Sequence, residues 1–278
     1  MKELEYNQLV ERSIIKKFRK GVFSPFLNAV KKYELISAGD KIAVCISGGK
    51  DSVILAKCMQ ILQRFSNVPF ELEFLAMDPG YNPINRKKIE ENCAKLNIPV
   101  TIFNTDIFEV SEAITSGSPC YMCARMRRGN LYATAKEMGC NKIALGHHFN
   151  DVIETTMMGM LYAGQIQAML PKLKSKNFEG MELIRPLYCV HEEEIIAWKN
   201  YNKLEFINCA CKFTERRDNA EDGVGESVRQ LIKETFKDWR KINPDVEKSV
   251  FKAIHSVSLD TMPGYKFKGE YHTFLEDY

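Results

Sequence analysis

The chain has 278 residues, 45% of them hydrophobic and 27% charged, and a net charge of +3, a profile that fits a globular protein with a substantial core. No run of eighteen apolar residues occurs, which argues against a membrane-spanning helix, and the start Met1-Lys2-Glu3-Leu4-Glu5-Tyr6 has no apolar centre of the secretory kind. These features predict a cytoplasmic protein whose nine cysteines are buried residues or functional thiols rather than disulfides.

Residues 1–36 read as helical, with Leu9, Ile14, Ile15, Phe18, Phe26, Leu27, Val30 and Tyr33 near helical spacing. From residue 40 the pattern alternates. Strands are expected at 41–46, 72–77, 99–103, 142–146 and 183–187, and helices at 51–64, 84–96, 121–138, from about Asn150, and at 192–201. That order predicts an α/β fold: a parallel five-stranded sheet with helices on both faces, and helical extensions at either end. The expected division is 1–36 as an N-terminal helical segment, 37–211 as the α/β domain, and 212–278 as a C-terminal helical segment and tail. Residues 218–225 read as a loop and 226–241 and 244–257 as helices, while the last fifteen residues show no period.

The strand at 41–46 runs directly into Ser47-Gly48-Gly49-Lys50-Asp51-Ser52 and then into a helix. Backbone N–H groups of such a turn and of the helix start converge on one point, the arrangement that binds phosphate. It is not a Walker A loop, because Val44 stands where the first glycine of G-x-x-x-x-G-K-S/T belongs and Asp51 follows the lysine. The hexapeptide resembles the PP-loop of the ATP pyrophosphatases, which cleave ATP between the α- and β-phosphates. Asp78 follows the second strand, where it reads either as a contact for ribose or adenine or as a turn aspartate before Pro79-Gly80. Gly146-His147-His148-Phe149-Asn150-Asp151 ends the fourth strand; Gly146 lets a nucleotide approach, and Asp151 reads as a helix cap or as a carboxylate for catalysis or Mg²⁺. A His-His metal site is discounted, because neighbours on a strand point in opposite directions.

Cys45, Cys58, Cys93 and Cys140 fall in apolar patterns and are expected in the core. Cys120-Tyr121-Met122-Cys123 opens a helix, where thiolates are favoured, and its spacing alone suits zinc, an iron–sulfur cluster or a redox disulfide. Cys209-Ala210-Cys211 is one residue too tight for the usual zinc pair, so three thiolates holding a [4Fe–4S] cluster is a further option. Basic residues cluster at Lys16, Lys17, Arg19, Lys20, Lys31 and Lys32, at Arg125, Arg127 and Arg128, and at Lys172, Lys174 and Lys176. This distribution suggests a face for a polyanion.

Taken together, Ser47–Ser52, Cys120-x-x-Cys123-Ala124-Arg125-Met126-Arg127-Arg128-Gly129, Lys142–His148 and Pro186-Leu187-x-x-x-x-Glu192 resemble the tRNA 2-thiocytidine synthetase family over about residues 5–245. The late pair departs from that family's C-x-x-C, and the tail from about 258 has no counterpart in the resemblance. The resemblance implies an enzyme that uses ATP, Mg²⁺ and a [4Fe–4S] cluster on three cysteines to replace the C2 oxygen of a tRNA cytidine with sulfur. Cys120, Cys123 and Cys211 are then the cluster ligands, with Cys209 as the fallback for the third. Phosphates sit at Ser47, Gly48, Gly49, Lys50, Asp51 and Ser52, adenosine lies near Asp78, and Lys142 and Asp151 steady phosphate charge and Mg²⁺.

The expected partners are tRNA and a sulfur donor, either a cysteine desulfurase or free sulfide, and the family tends towards homodimers. Arg125, Arg127 and Arg128 are candidate contacts for tRNA phosphates, and a target base has to be unstacked to react. Three other readings of the same residues stay open. One is a cluster-free thiolase with a persulfide on Cys120 or Cys211, another a sulfurtransferase for a small molecule, and the third a nucleotide-binding regulator without chemistry.

Overall fold

A computed structural model describes residues 4–107, 119–207, 228–276 and 278, with the backbone alone for residues 119–124. The described residues of 1–151 and 169–225 form one compact unit, and those of 152–168 and 226–278 form a second. The N-terminal helices therefore belong with the sheet rather than standing apart from it.

In the first unit, strands β1 (Lys41–Ile46), β2 (Glu71–Asp78), β3 (Val100–Asn104), β4 (Lys142–Ala144), β5 (Lys172–Lys174) and β6 (Glu182–Ile184) make one sheet. Its order is β3-β2-β1-β4-β6-β5, with every pairing parallel except the antiparallel β5–β6 edge. The sheet thus has six strands, not five. The added strand is a three-residue edge carrying two lysines, which gives no apolar run to read and protects the edge from further pairing.

Alternation along β1 sets the layers. Ile42, Val44 and Ile46 enter one core and Ala43 and Cys45 the other. The first core is the larger, built with helices α1 (Tyr6–Ile15), α2 (Ser24–Lys32), α3 (Lys50–Phe65), α4 (Pro83–Lys95) and α7 (Glu192–Tyr201). The second is closed by α5 (Pro119–Glu137) through Tyr132 and Ala135. Cys45, Cys58, Cys93 and Cys140 are all buried, as expected. Burial pushes the Cys45 thiol up to about 12 and those of Cys93 and Cys140 up to about 11, so all three stay protonated at neutral pH.

The second unit takes in most of α6 (Phe149–Ala163), with α8 (Val228–Ile242), α9 (Val246–Ala253) and an antiparallel hairpin of β7 (Gly264–Phe267) and β8 (Glu270–Thr273). Ile232 and Phe236, one turn apart on α8, are its buried anchors. Glu154 is buried and is met by Arg229 at 3.4 Å and Lys233 at 3.8 Å.

Candidate active site

Strand order reverses between β1 and β4, and the crevice beyond their C-terminal ends is where open parallel sheets take ligands. A cavity of about 330 Å³ lies there, lined by Ser47, Asp51, Ser52, Gly146, His147 and Asp151 from the strand ends. Cys45, Ile46, Met77, Tyr81, Arg127, Leu131 and Leu145 complete its wall.

The glycine turn is built for this place. Gly48 has φ +82, and a Cβ there would come within 2.7 Å of Ile89 Cγ1, so both conformation and space demand glycine. Gly49 is the N-cap of α3 and offers no capping side chain, which leaves first-turn N–H groups open to an anion. Ser52 staples the turn: its hydroxyl donates to Gly49 O at 2.9 Å and accepts from Ser47 N at 3.1 Å. Gly146 packs directly on the start of α3, where a Cβ would lie 3.0 Å from the Asp51 carbonyl carbon and 3.1 Å from Ser52 N. We expect Gly48→Ala to destabilise the protein by about 1–3 kcal/mol, because Ala is strained at positive φ and meets Ile89. Chemical denaturation measures this, and an unchanged midpoint would show that the turn relaxes freely.

Lys50 Nζ lies 3.0 Å from Glu192 Oε1 and 3.2 Å from Asp51 Oδ2. Glu192 opens α7, and its N–H donates to Asn150 Oδ1 at 2.9 Å, which ties the first turn of α6 to the PP-loop lysine. His148 is buried beside them, its Nδ1 3.3 Å from Asp151 Oδ2 and its Nε2 3.9 Å from both Asp51 Oδ1 and Glu192 Oε1. Asp151 Oδ2 also accepts the His148 N–H at 2.9 Å, so this aspartate both caps α6 and faces the cavity. His147 lines the cavity while His148 sits behind it.

Asp51 Oδ1 is buried without a hydrogen-bond partner, and burial raises the Asp51 carboxyl above its ordinary range. A buried carboxylate oxygen without a hydrogen-bond partner, at a cavity that Asp151 also lines, fits a divalent cation. Among the described residues no group of three or more His, Cys, Asp or Glu is placed to hold a metal. Two carboxylates with phosphate oxygens and waters is the usual shell of Mg²⁺.

Several expectations need placing or correcting. Lys142 is the first residue of β4, level with Ile42 of β1, and so stands at the opposite end of the sheet from the cavity. The strand rise puts it about 13 Å from Gly146. Its ammonium is buried on Asp40 (2.7 Å) and Glu182 (3.5 Å) and donates to Leu35 O at 3.0 Å, so it is a structural lysine. Asp78 accepts from Gly80 N (2.9 Å) and Tyr81 N (2.7 Å) and pairs with Arg86 at 3.0 Å. That is the turn role, and its neighbours Met77 and Tyr81 line the cavity instead. Arg127 faces the cavity, whereas Arg125 and Arg128 are exposed.

Cys120 and Cys123 fall on the first turn of α5, whose next turns present Arg127 and Leu131 to the cavity. Positions three apart share a helix face, so the backbone suits two ligands to one centre. Cys209 and Cys211 lie outside the described residues. The carboxylate missed by sequence reasoning is Glu192; the P-L-x-x-x-x-E spacing held it, but nothing local to that stretch ties it to Lys50.

Strand, glycine turn and helix at a sheet switch point, with a lysine and two carboxylates around one cavity, define a nucleotide-binding α/β protein of the PP-loop class. A family model described as a PP-loop domain matches residues 22–215. The tRNA-cytidine(32) 2-sulfurtransferase of Citrifermentans bemidjiense is 34% identical over 232 residues, 82% of this chain and 87% of that protein. That of Alcanivorax borkumensis is 33% identical over 250 residues, 89% and 84%. The chain belongs to the PP-loop family, among the relatives of the tRNA-cytidine(32) 2-sulfurtransferases. In fold it is similar to the U34-tRNA thiolase NcsA from Methanococcus maripaludis, solved with its [4Fe-4S] cluster. That likeness has a TM-score of 0.65 and 19% identity, covering 84% of this chain and 76% of that one.

Proposed function

We propose that the protein is an ATP-dependent tRNA thiolase that replaces the C2 oxygen of a cytidine with sulfur. The carrying observation is a cavity floored by the PP-loop and walled by the helix whose N-terminal turns carry Cys120 and Cys123. ATP lies with its phosphates on the N–H groups from Gly48 to Ser52 and on Lys50, and its base against Met77, Tyr81 and Leu131. Lys50 and the α3 N-terminus neutralise charge that develops on the phosphates, and Asp51 and Asp151 would hold Mg²⁺, which would add Lewis-acid stabilisation of that charge.

The cytidine O2 attacks the α-phosphorus, the bond from that phosphorus to the β-bridging oxygen breaks, and pyrophosphate leaves. A bound sulfide, supplied by a cysteine desulfurase or as free sulfide, then forms the C2–S bond. The C2–O bond breaks, and AMP departs with the oxygen. Arg127 in the wall offsets the negative charge of AMP as it leaves. Cys120, Cys123 and Cys211 would hold a [4Fe–4S] cluster, which would supply a binding site for the sulfide.

Deleting the gene and analysing tRNA nucleosides by mass spectrometry tests this reading. We expect 2-thiocytidine to vanish, and an unchanged profile would count against a tRNA acceptor. Anaerobically purified protein is expected to carry about four iron atoms per chain. Cys120→Ala, Cys123→Ala and Cys211→Ala should lose that iron and Cys209→Ala should keep it; iron retained in the first three would refute the ligand set.

A further inference from the structure

The segment after α1 carries four cations in five positions, Lys16, Lys17, Arg19 and Lys20, all exposed, with Lys31 and Lys32 exposed at the end of α2. A widened turn makes this possible. Residues Arg19–Phe23 form a π-helix, with Phe18 N–H donating to Ser13 O at 2.9 Å and Phe23 N–H to Phe18 O at 3.3 Å. The wider repeat lets Phe18, Val22 and Phe23 all turn into the core, so the charged residues between and before them share the outer side.

Several lysines elsewhere on the surface are paired, Lys41 with Glu73, Lys88 with Glu205, Lys241 with Asp238 and Lys248 with Asp245. Here none of the six cations has a carboxylate within ion-pair distance among the described residues. Lys17 instead rests on the exposed Tyr201 ring, 3.7 Å from its centroid, and Lys32 lies 5.2 Å from the Tyr33 ring.

The placement of these cations leads to the active site. Tyr201 ends α7, while Gly21 packs on Glu194 near its start; a Cβ at Gly21 would meet the Glu194 carboxyl carbon at 2.1 Å. The segment from Lys17 to Gly21 therefore runs along α7 from its far end towards its first turn, a path of about 10 Å. Glu194 is two residues from Glu192, the partner of Lys50. Lys32 approaches from the other side, since Tyr33 packs edge-on against Tyr188, four residues before Glu192.

We propose that this basic track along α7 is a docking surface for the phosphate backbone of the RNA substrate, guiding a folded RNA to the cavity beside Lys50. Unpaired lysines and arginine on a rigid helical turn release condensed counterions when they meet phosphates, and an exposed aromatic ring beside them suits RNA. The proposal rests on the tRNA thiolase reading, and the test separates the two.

Binding of unmodified tRNA to the full-length protein is measured by fluorescence anisotropy over a range of salt. The variants are Lys17→Ala/Arg19→Ala/Lys20→Ala and, in the second unit, Lys266→Ala/Lys268→Ala; ATP binding and melting temperature are followed in parallel. We expect the triple variant to weaken tRNA binding about tenfold or more and to lower the salt slope by about 3. The tail variant should match the parent, and ATP affinity and melting temperature should hold in both. An unchanged slope in the triple variant, or an equal loss in the tail variant, overturns the docking surface while leaving the thiolase reading intact. A parent protein that binds anionic phospholipid vesicles but no tRNA overturns both.

Discussion

Lys50→Ala is expected to lower kcat/KM for tRNA thiolation by about 10²–10³, or roughly 3–4 kcal/mol of transition-state stabilisation. The lysine is the cationic side chain of the PP-loop, and its two present partners, Asp51 and Glu192, are both carboxylates. On the proposed reading, removing it deletes the charge that meets the ATP phosphates and leaves two carboxylates facing them. Release of pyrophosphate and formation of 2-thiocytidine should fall together, because adenylation precedes sulfur entry. Lys50→Arg should recover little, since a planar fork does not replace a compact ammonium in a space already shared with Glu192. The fold is expected to survive, because these groups are partly open to solvent. Thiolation retained within threefold in a folded Lys50→Ala protein would remove the PP-loop lysine from the mechanism.

Lys142→Met is expected to act in the opposite manner, on stability rather than on the reaction. Its ammonium joins Asp40 and Glu182 at the N-terminal edge of the sheet, with both Lys142 and Asp40 buried. Asp40 also accepts from Ser37 N at 2.6 Å and Asn141 Nδ2 at 2.8 Å. Stripping one partner from such a buried pair costs about 3–5 kcal/mol, because the remaining charge is left without compensation.

Burial alone would raise the Asp40 carboxyl, but the hydrogen bonds from Lys142, Ser37 and Asn141 outweigh it and hold the group below its ordinary range. A carboxylate depressed in the folded state contributes stability above its unfolded value, and that contribution fades as pH falls through the folded value. The gap between parent and variant should therefore be widest near neutral pH and narrow below about pH 4. Urea melts at pH 7 and pH 4 measure it. A variant that unfolds like the parent but fails in ATP binding would return Lys142 to the active site.

Much of the fold was legible. Five strands lie where apolar runs place them, because strands buried on both faces need no alternation to be recognised. The edge strand Lys172-Leu173-Lys174 has no such run. The hairpin at 264–273 turns on Lys268-Gly269, both at positive φ (+51 and +94), without an Asn-Gly or Asp-Gly pair to announce it. The N-terminal helices were visible as helices, but their place inside the main core was not, since apolar spacing shows that a face is buried and not what buries it.

The candidate site divides along the same line. Ser47–Ser52 is local: strand, glycine turn and helix start lie within a dozen residues, so the proposed phosphate seat is written in consecutive sequence and the family with it. Cys120-x-x-Cys123 is local too, its geometry set by one helical turn. By itself the sequence thus determined the nucleotide loop, the cysteine pair and the α/β class. Only the tertiary structure decided which distant groups join them. It brought Glu192 and His148 to Lys50 and Asp51, turned Arg127 into the cavity, and sent Lys142 to the far end of its strand. A strand has two ends and a sheet two edges, and long-range packing alone determines which of them a side chain meets.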